Sequence, residues 1–268
     1  PSTEYRVKEW KLNGGVITGN ITNNYTLNNV SSVSTVTVEF EQIPVLETLL
    51  LVENFDYIEG TTLVSNGWNT HSGAGTNSPI VQMPGLSFAG YLGSNIGGAA
   101  VINKNGEDVN KTFTGQAEGS VYAAFVVETS ATNSAGYFFH FAPSSVGTTF
   151  FSRVWINANG TGLGIGQNVP ATYATIAPGT PTLVVVKLEL ATKISSLFIF
   201  DTFPIAEPVT ADATFGETAS FTNVGAVALR QYNVSQNIIV DGIRVATTWE
   251  EAVKAAPINT YAVNFSVT

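Results

Sequence analysis

The chain has no cysteine, one methionine, two histidines and only eleven lysines and arginines in 268 residues. Without thiols there is no disulfide framework, no thiolate metal site and no thiol nucleophile. The eleven cations face twenty acidic residues, which leaves a net charge of −9. With no run of Lys or Arg, that balance excludes a phosphate backbone as the main partner. Charged residues make up 12% of the chain, about half the usual share. No apolar run reaches the roughly 18 residues of a membrane-crossing helix, so no membrane insertion is expected.

What is present is apolar and turn-rich. A 44% hydrophobic content with little charge is the reverse of a disordered composition. Polarity comes from Thr, Ser and Asn, and the 25 glycines suit short strands joined by many turns. The expected fold is all-β. YRVKEWKL (Tyr5–Leu12) and STVTVEFE (Ser34–Glu41) alternate around the turn Asn13-Gly14-Gly15 and form a small β unit. Strands then follow over 120–129, 136–142, 149–157, 182–190, 194–201, 224–231 and 238–245, with weaker ones near 99–102 and 109–114. Residues 61–98 read as a long loop packing through Trp68 and Met83. The stretch Asn237 to Trp249 (NIIVDGIRVATTW) is the closing strand, paired with Leu49 to Tyr57 (LLLVENFDY). Thr248-Trp249-Glu250-Glu251 matches a capping box, opening a helix of about two turns before Pro257. YAVNFSVT (261–268) alternates strictly as a last strand.

These segments, from LLVENFDY through NGWNTHSGAGTN, GEDVNKTF, VYAAFVV, YFFHFAPS, GTTFFSRVW and VALRQ to VDGIRVATTWEEAV, resemble the concanavalin-like (laminin-G-like) jelly-roll domains. Such domains are common in secreted and surface proteins of the Bacteroidetes and their relatives. YRVKEWKLNGG, YTLNNV and TVTVEFE resemble the second half of an InlB-type β repeat, and YAVNFSVT its first strand. The expected organisation is therefore a partial repeat unit at 1–42, a jelly-roll sandwich at 43–257 and a strand at 258–268 that pairs with a neighbouring repeat or subunit. The resemblance implies an extracellular or cell-surface setting and a non-catalytic structural or adhesive module of a surface protein or filament. The alternative from another class is a carbohydrate-binding module of a secreted enzyme.

Candidate chemistry is sparse. Sugar-cleaving jelly rolls share a Glu-x-Asp-x-x-Glu strand that brings acid and nucleophile within about 5–5.5 Å, and no such spacing occurs. His71 and His140 have no partner at metal-ligand spacing. Phe151, Arg153, Trp155 and Asn157 share a parity, and with Arg230 they make the candidate glycan platform: an indole to stack, with Arg and Asn as donors. The competing reading is that Trp155 is core. Asp241, a carboxylate inside an apolar strand, must be paired or coordinated. The resemblance implies a structural calcium held by Asp241 with Glu53 or Asp56; the competing reading is an ion pair with Arg244. The Gly160–Gly166 run, with glycine at every second position, indicates close approach of another sheet or loop, or a shallow ligand groove. Tyr261, Val263, Phe265 and Val267 are the candidate assembly face, donating a strand head-to-tail to another copy or the next repeat.

Overall fold

The computed structural model describes residues 5–42, 48–132, 134–232 and 235–257. It divides at Glu47/Thr48 into two compact units. The first is a three-stranded antiparallel sheet, with β1 (Tyr5–Leu12) between β2 (Gly15–Ile17) and β3 (Val36–Gln42). Val7 is its one buried large apolar residue among those described, and Arg6–Glu41 and Lys8–Glu39 ion pairs bridge β1 to β3. Tyr261, Val263, Phe265 and Val267 lie outside the described residues.

The second unit is a two-sheet antiparallel jelly-roll sandwich. Its strands are β4 (Leu49–Glu53), β5 (Asn69–Ser72), β6 (Ile80–Gln82), β7 (Ala99–Ile102), β8 (Asp108–Gln116) and β9 (Ser120–Thr129). They continue with β10 (Gly136–Ala142), β11 (Phe151–Ile156), β12 (Gly162–Ile165), β13 (Ala174–Thr175) and β14 (Thr182–Glu189). The last are β15 (Ile194–Phe200), β16 (Ala213–Gly216), β17 (Val224–Leu229) and β18 (Ile238–Ala246). One sheet has the order β13-β12-β11-β10-β17-β8-β5; the other runs β16-β15-β14-β9-β18-β7-β6, with β4 also on β18. The closing pair expected from sequence is present, Ile243 opposite Glu53 and Val245 opposite Leu51.

Alternation decides what each sheet covers. On β9, Val121, Ala123, Phe125 and Val127 point between the sheets. There Phe125 stacks on Phe139 at 4.6 Å. Tyr122, Ala124 and Val126 point the other way, into a second apolar cluster. Leu86, Phe88 and Tyr91 from a loop, and Trp249 and Val253 at the short helix, close that cluster. The eight-stranded sheet is thus buried on both faces, while the outward side chains of the seven-stranded sheet, Tyr137, His140 and Trp155 among them, belong to neither apolar cluster.

Three expectations change. Residues 61–98 contain β5 and β6, and although Trp68 is buried, Met83 is 43% exposed. The helix is one turn, α1 (Trp249–Ala252). Only half of its capping box forms: Thr248 accepts the Glu251 N–H, while the Glu251 carboxylate pairs with Lys254. The glycine run is read correctly as close approach. Leu163 and Ile165 face the core, and a loop of residues 168–173 lies against Gly162, Gly164 and Gly166.

A Cβ on Gly164 would stand 2.9 Å from Pro170 Cγ and 3.0 Å from the Thr172 carbonyl oxygen. Gly164→Ala is expected to destabilise the fold by about 1–3 kcal/mol in urea unfolding, the usual cost of overpacking. Gly147→Ala, where the added atom meets nothing within 4 Å, is expected to leave the midpoint unchanged.

Candidate functional site

The site begins with a bulge in β11. Ser152 adopts φ 51°, a left-handed conformation costly for a residue with a Cβ. Its N–H donates to Glu217 Oε1 at 2.7 Å, the same oxygen accepts the Ser195 hydroxyl, and the Ser152 and Ser195 hydroxyls are 2.7 Å apart. Burial holds the Glu217 carboxyl above its usual range, partly offset by Ser195, Ser152 and Arg153. The β10–β11 register slips across this residue, pairing Phe139 with Val154 but Phe141 with Phe151. One extra residue inverts the side-chain alternation. Phe151 therefore turns into the core with Val154 and Ile156, leaving Arg153 and Trp155 on the outer face. The shared parity of Phe151, Arg153, Trp155 and Asn157 is thus broken. Asn157 is also diverted: its Oδ1 accepts the N–H groups of Thr161 and Gly162, which shapes the turn into β12.

Strand pairing brings the outward residues together around one ring. Tyr137 lies opposite Trp155, with ring centroids 5.1 Å apart. The Arg153 guanidinium carbon is 4.9 Å from the Tyr137 centroid, and that of Arg230 is 4.3 Å from it. Arg230 is held beside β10 by its N–H to the Phe138 carbonyl, and its guanidinium also lies 4.8 Å from the Tyr232 ring. Such stacking is favourable and fixes the planar groups. Trp155 is 5% exposed, with its indole N–H donated to the Gly166 carbonyl at 2.8 Å. It supports the patch and offers no open stacking face. Tyr232, 40% exposed, does.

A polar cleft of about 420 Å³ continues the same face, lined by Asn69, Thr70, His71, Asn110, Thr112, Ser144 and Val146. Asn110 Nδ2 donates to the Asn69 carbonyl and faces His71 Nδ1 at 3.4 Å. His140 Nδ1 meets the Phe141 carbonyl at 3.1 Å, so its Nε2 is the bare nitrogen. Burial, then the Arg230 charge, lowers His71 to about 4. Burial, then His71 and Arg153, lowers His140 to about 3. Both rings are neutral near pH 7, so the positive charge of the patch is that of the two arginines. Asp108 is its carboxylate: Oδ1 accepts the Gln231 N–H at 3.0 Å, Oδ2 is 3.5 Å from Arg230 Nε, and burial raises it to about 6. Sequence reading found Arg153 and Arg230 but not Tyr137, Tyr232, Asp108 or the histidine pair, which only the pairing of β10, β17 and β8 assembles.

Of the residues read as calcium ligands, Glu53 is already engaged by protein donors. Glu53 Oε1 accepts the Phe55 N–H, and Oε2 accepts the Tyr57 hydroxyl and the Trp68 indole N–H, with Lys111 Nζ at 3.3 Å. A carboxylate so donated to and neutralised does not fit a calcium ligand. Asp56 is exposed. Among the described residues no three Asp, Glu or His groups converge on one point. Asp241 is fully buried and accepts the Leu86 N–H at 2.7 Å through Oδ2, which anchors the loop over the second cluster. Its Oδ1 has no hydrogen-bond partner. Arg244, the alternative partner, instead donates to the Glu251 carbonyl.

Burial, reinforced by Glu53, raises the Asp241 carboxyl to about 7, against donation from Leu86 and Gly242. A carboxyl raised in the folded state favours its protonated form there. The associated stability is full below pH 3.8, the unperturbed value, and is lost as the pH rises to about 7. Asp241→Asn is expected to remove that loss and to raise the melting temperature at pH 8, by about 2–4 °C per kcal/mol recovered. Chelation is the direct check on calcium: a wild-type midpoint unchanged by chelator removes the ion from Asp241.

No family profile and no curated protein matches the chain. Solved structures do match in fold. A sialidase superimposes with a TM-score of 0.51 at 9% identity, over 80% of this chain and 20% of the sialidase. The globular domain of T. cruzi calreticulin gives 0.48 at 10% identity, over 77% of this chain and 90% of that domain. Lectin II from Ulex europaeus gives 0.43 at 11%, over 73% and 97%. The chain spans about a fifth of the length of the sialidase. At these identities the likeness is one of fold, that of an all-β jelly-roll sandwich.

Proposed function

We propose that the chain is a non-catalytic, glycan-binding adhesive module of an extracellular bacterial surface protein. The observation that carries this reading is the exposed Tyr232 ring beside two stacked guanidiniums and a polar cleft, all on the sheet face that neither apolar cluster covers. An aromatic face with fixed donors beside it suits a sugar ring, which is apolar on its C–H side and hydroxylated at its rim. Against hydrolysis, the patch presents Asp108 as a single acid engaged by Arg230 and Gln231. The neighbouring Glu107 is tied to Thr70, Ser78 and the Gly75 N–H. Most glycosidases use two carboxyl groups flanking the bond they cleave.

The test is a glycan array followed by titration of any hit. Tyr232→Ala is expected to weaken binding about three- to tenfold, the loss of one aromatic contact, with no release of reducing ends from polysaccharides. A protein that binds no glycan, or a variant that binds as wild type, overturns the reading.

A head-to-tail assembly through residues 261–268 is a second proposal. It is favoured by the three-stranded sheet of the first unit, whose edge strand β3 leaves Val36 and Phe40 exposed, a form open to strand addition. Deleting residues 261–268 is expected to abolish self-association seen by light scattering. Association that survives the deletion contradicts it.

A further inference from the structure

The chain has four arginines. Arg6 pairs with Glu41 at 2.6 Å, and Arg244 donates twice to the Glu251 carbonyl. The other two, Arg153 and Arg230, share the Tyr137 ring, and both are poorly satisfied. Arg153 Nη1 donates to the Gln167 carbonyl at 2.6 Å, but among the described residues no carboxylate lies within ion-pair distance of it. Arg230 Nε is 3.5 Å from Asp108 Oδ2, within ion-pair range but without hydrogen-bond geometry. The Nε atoms of both arginines are buried and lack a hydrogen-bond partner, as do Nε2 of His71 and of His140. An unmet charged donor is costly, and here two, those of Arg153 and Arg230, lie on one face of a protein whose net charge is −9.

Resting on the glycan-binding reading above, we propose that this patch takes an acidic saccharide, a carboxylate- or sulfate-bearing sugar whose anionic group is bound by the Arg153 and Arg230 guanidiniums while its ring lies on Tyr232. The guanidinium fork matches planar oxyanions, and such charge-assisted bonds are about twice as strong as neutral ones. Stacking on Tyr137 holds both forks before the ligand arrives, so little side-chain freedom remains to be lost on binding. Both arginine side chains remain partly exposed, Arg230 at 29%. Hydroxyls of the next sugar would meet Asn69, Asn110, Thr112 and His71 in the adjoining cleft. The net negative charge disfavours a dense polyanion such as a nucleic acid, whereas a saccharide presents its charges singly, one per acidic residue.

Calorimetric titration of the full chain separates the possibilities. The probes are oligogalacturonate, its fully methyl-esterified form, a sulfated galactan oligomer and the desulfated oligomer. The acid is expected to bind at least about tenfold tighter than its ester in 150 mM salt, the increment of a charge-assisted contact. Tighter binding of the sulfated oligomer than of its desulfated form supports the same site with sulfate as the anion. Arg230→Gln is expected to remove the preference for the charged form, so that the acid and its ester bind alike. Arg153→Lys, which keeps the charge and loses the fork, is expected to weaken it. Unchanged melting temperatures of the variants show that they are folded. Equal binding of charged and neutral forms overturns this inference and leaves the glycan reading standing; no binding of any probe overturns both.

Discussion

The left-handed backbone at Ser152 decides which side chains of β11 reach the outer surface. A non-glycine residue there costs about 1–2 kcal/mol, and the offset comes from the buried Glu217 carboxylate, which accepts the Ser152 N–H and the Ser195 hydroxyl. Because one residue is inserted, Phe151 closes the core beside Phe221 at 4.3 Å, and Arg153 and Trp155 stay outside. Without the bulge, a strand keeping Val154 and Ile156 in the core would carry Phe151 to the surface with the arginine. The bulge therefore keeps Phe151 out of the aromatic and cationic patch and in the core.

The two sheets do different work. The eight-stranded sheet is sealed on its outer side by Leu86, Phe88, Tyr91 and Trp249. That cover is held by Asp241 to Leu86 and by the Tyr91 hydroxyl, which donates to the Ala124 and Gly242 carbonyls. Gly242 has φ 60°, and a Cβ there would come within 2.0 Å of the Gly93 carbonyl oxygen. The approach of loop to strand thus requires glycine at that position. The outer side of the seven-stranded sheet carries no second apolar cluster among the described residues, although β10 and β17 are buried throughout and the loop of residues 168–173 lies over β12. That outer side carries arginines, histidines, asparagines and tyrosines held by cation–π stacking and backbone hydrogen bonds, an arrangement suited to recognition and not to core packing.

Much of this was legible in the sequence, for physical reasons that also mark the limits. Alternation exposed the strands and the β4–β18 closure because a half-buried strand must separate apolar from polar residues every second position. It also singled out Arg153 and Arg230. It failed at Phe151 because a bulge shifts parity without leaving a signature in composition. It failed at Trp155 because an outward-facing indole can still be buried, here under Tyr137 and Tyr232. Tyr137, Tyr232, His71 and Asn110 belong to four separated segments, and nothing local announces that β10, β17, β8 and β5 are neighbours. Asp241 was marked as a buried carboxyl, whereas the donors to Glu53 (Tyr57 and Trp68) come from outside its strand and were not legible.

The central claim is that Arg153 and Arg230 sit over one aromatic ring and face an anionic ligand together. Nitrogen-15 labelling of arginine gives four assignable Nε–H signals. The account predicts that those of Arg153 and Arg230 are displaced upfield by the Tyr137 ring. It also predicts that both move on addition of oligogalacturonate, while Arg6 and Arg244 stay fixed. Signals of Arg153 and Arg230 at ordinary solvent-exposed positions, unmoved by the acid, would contradict it.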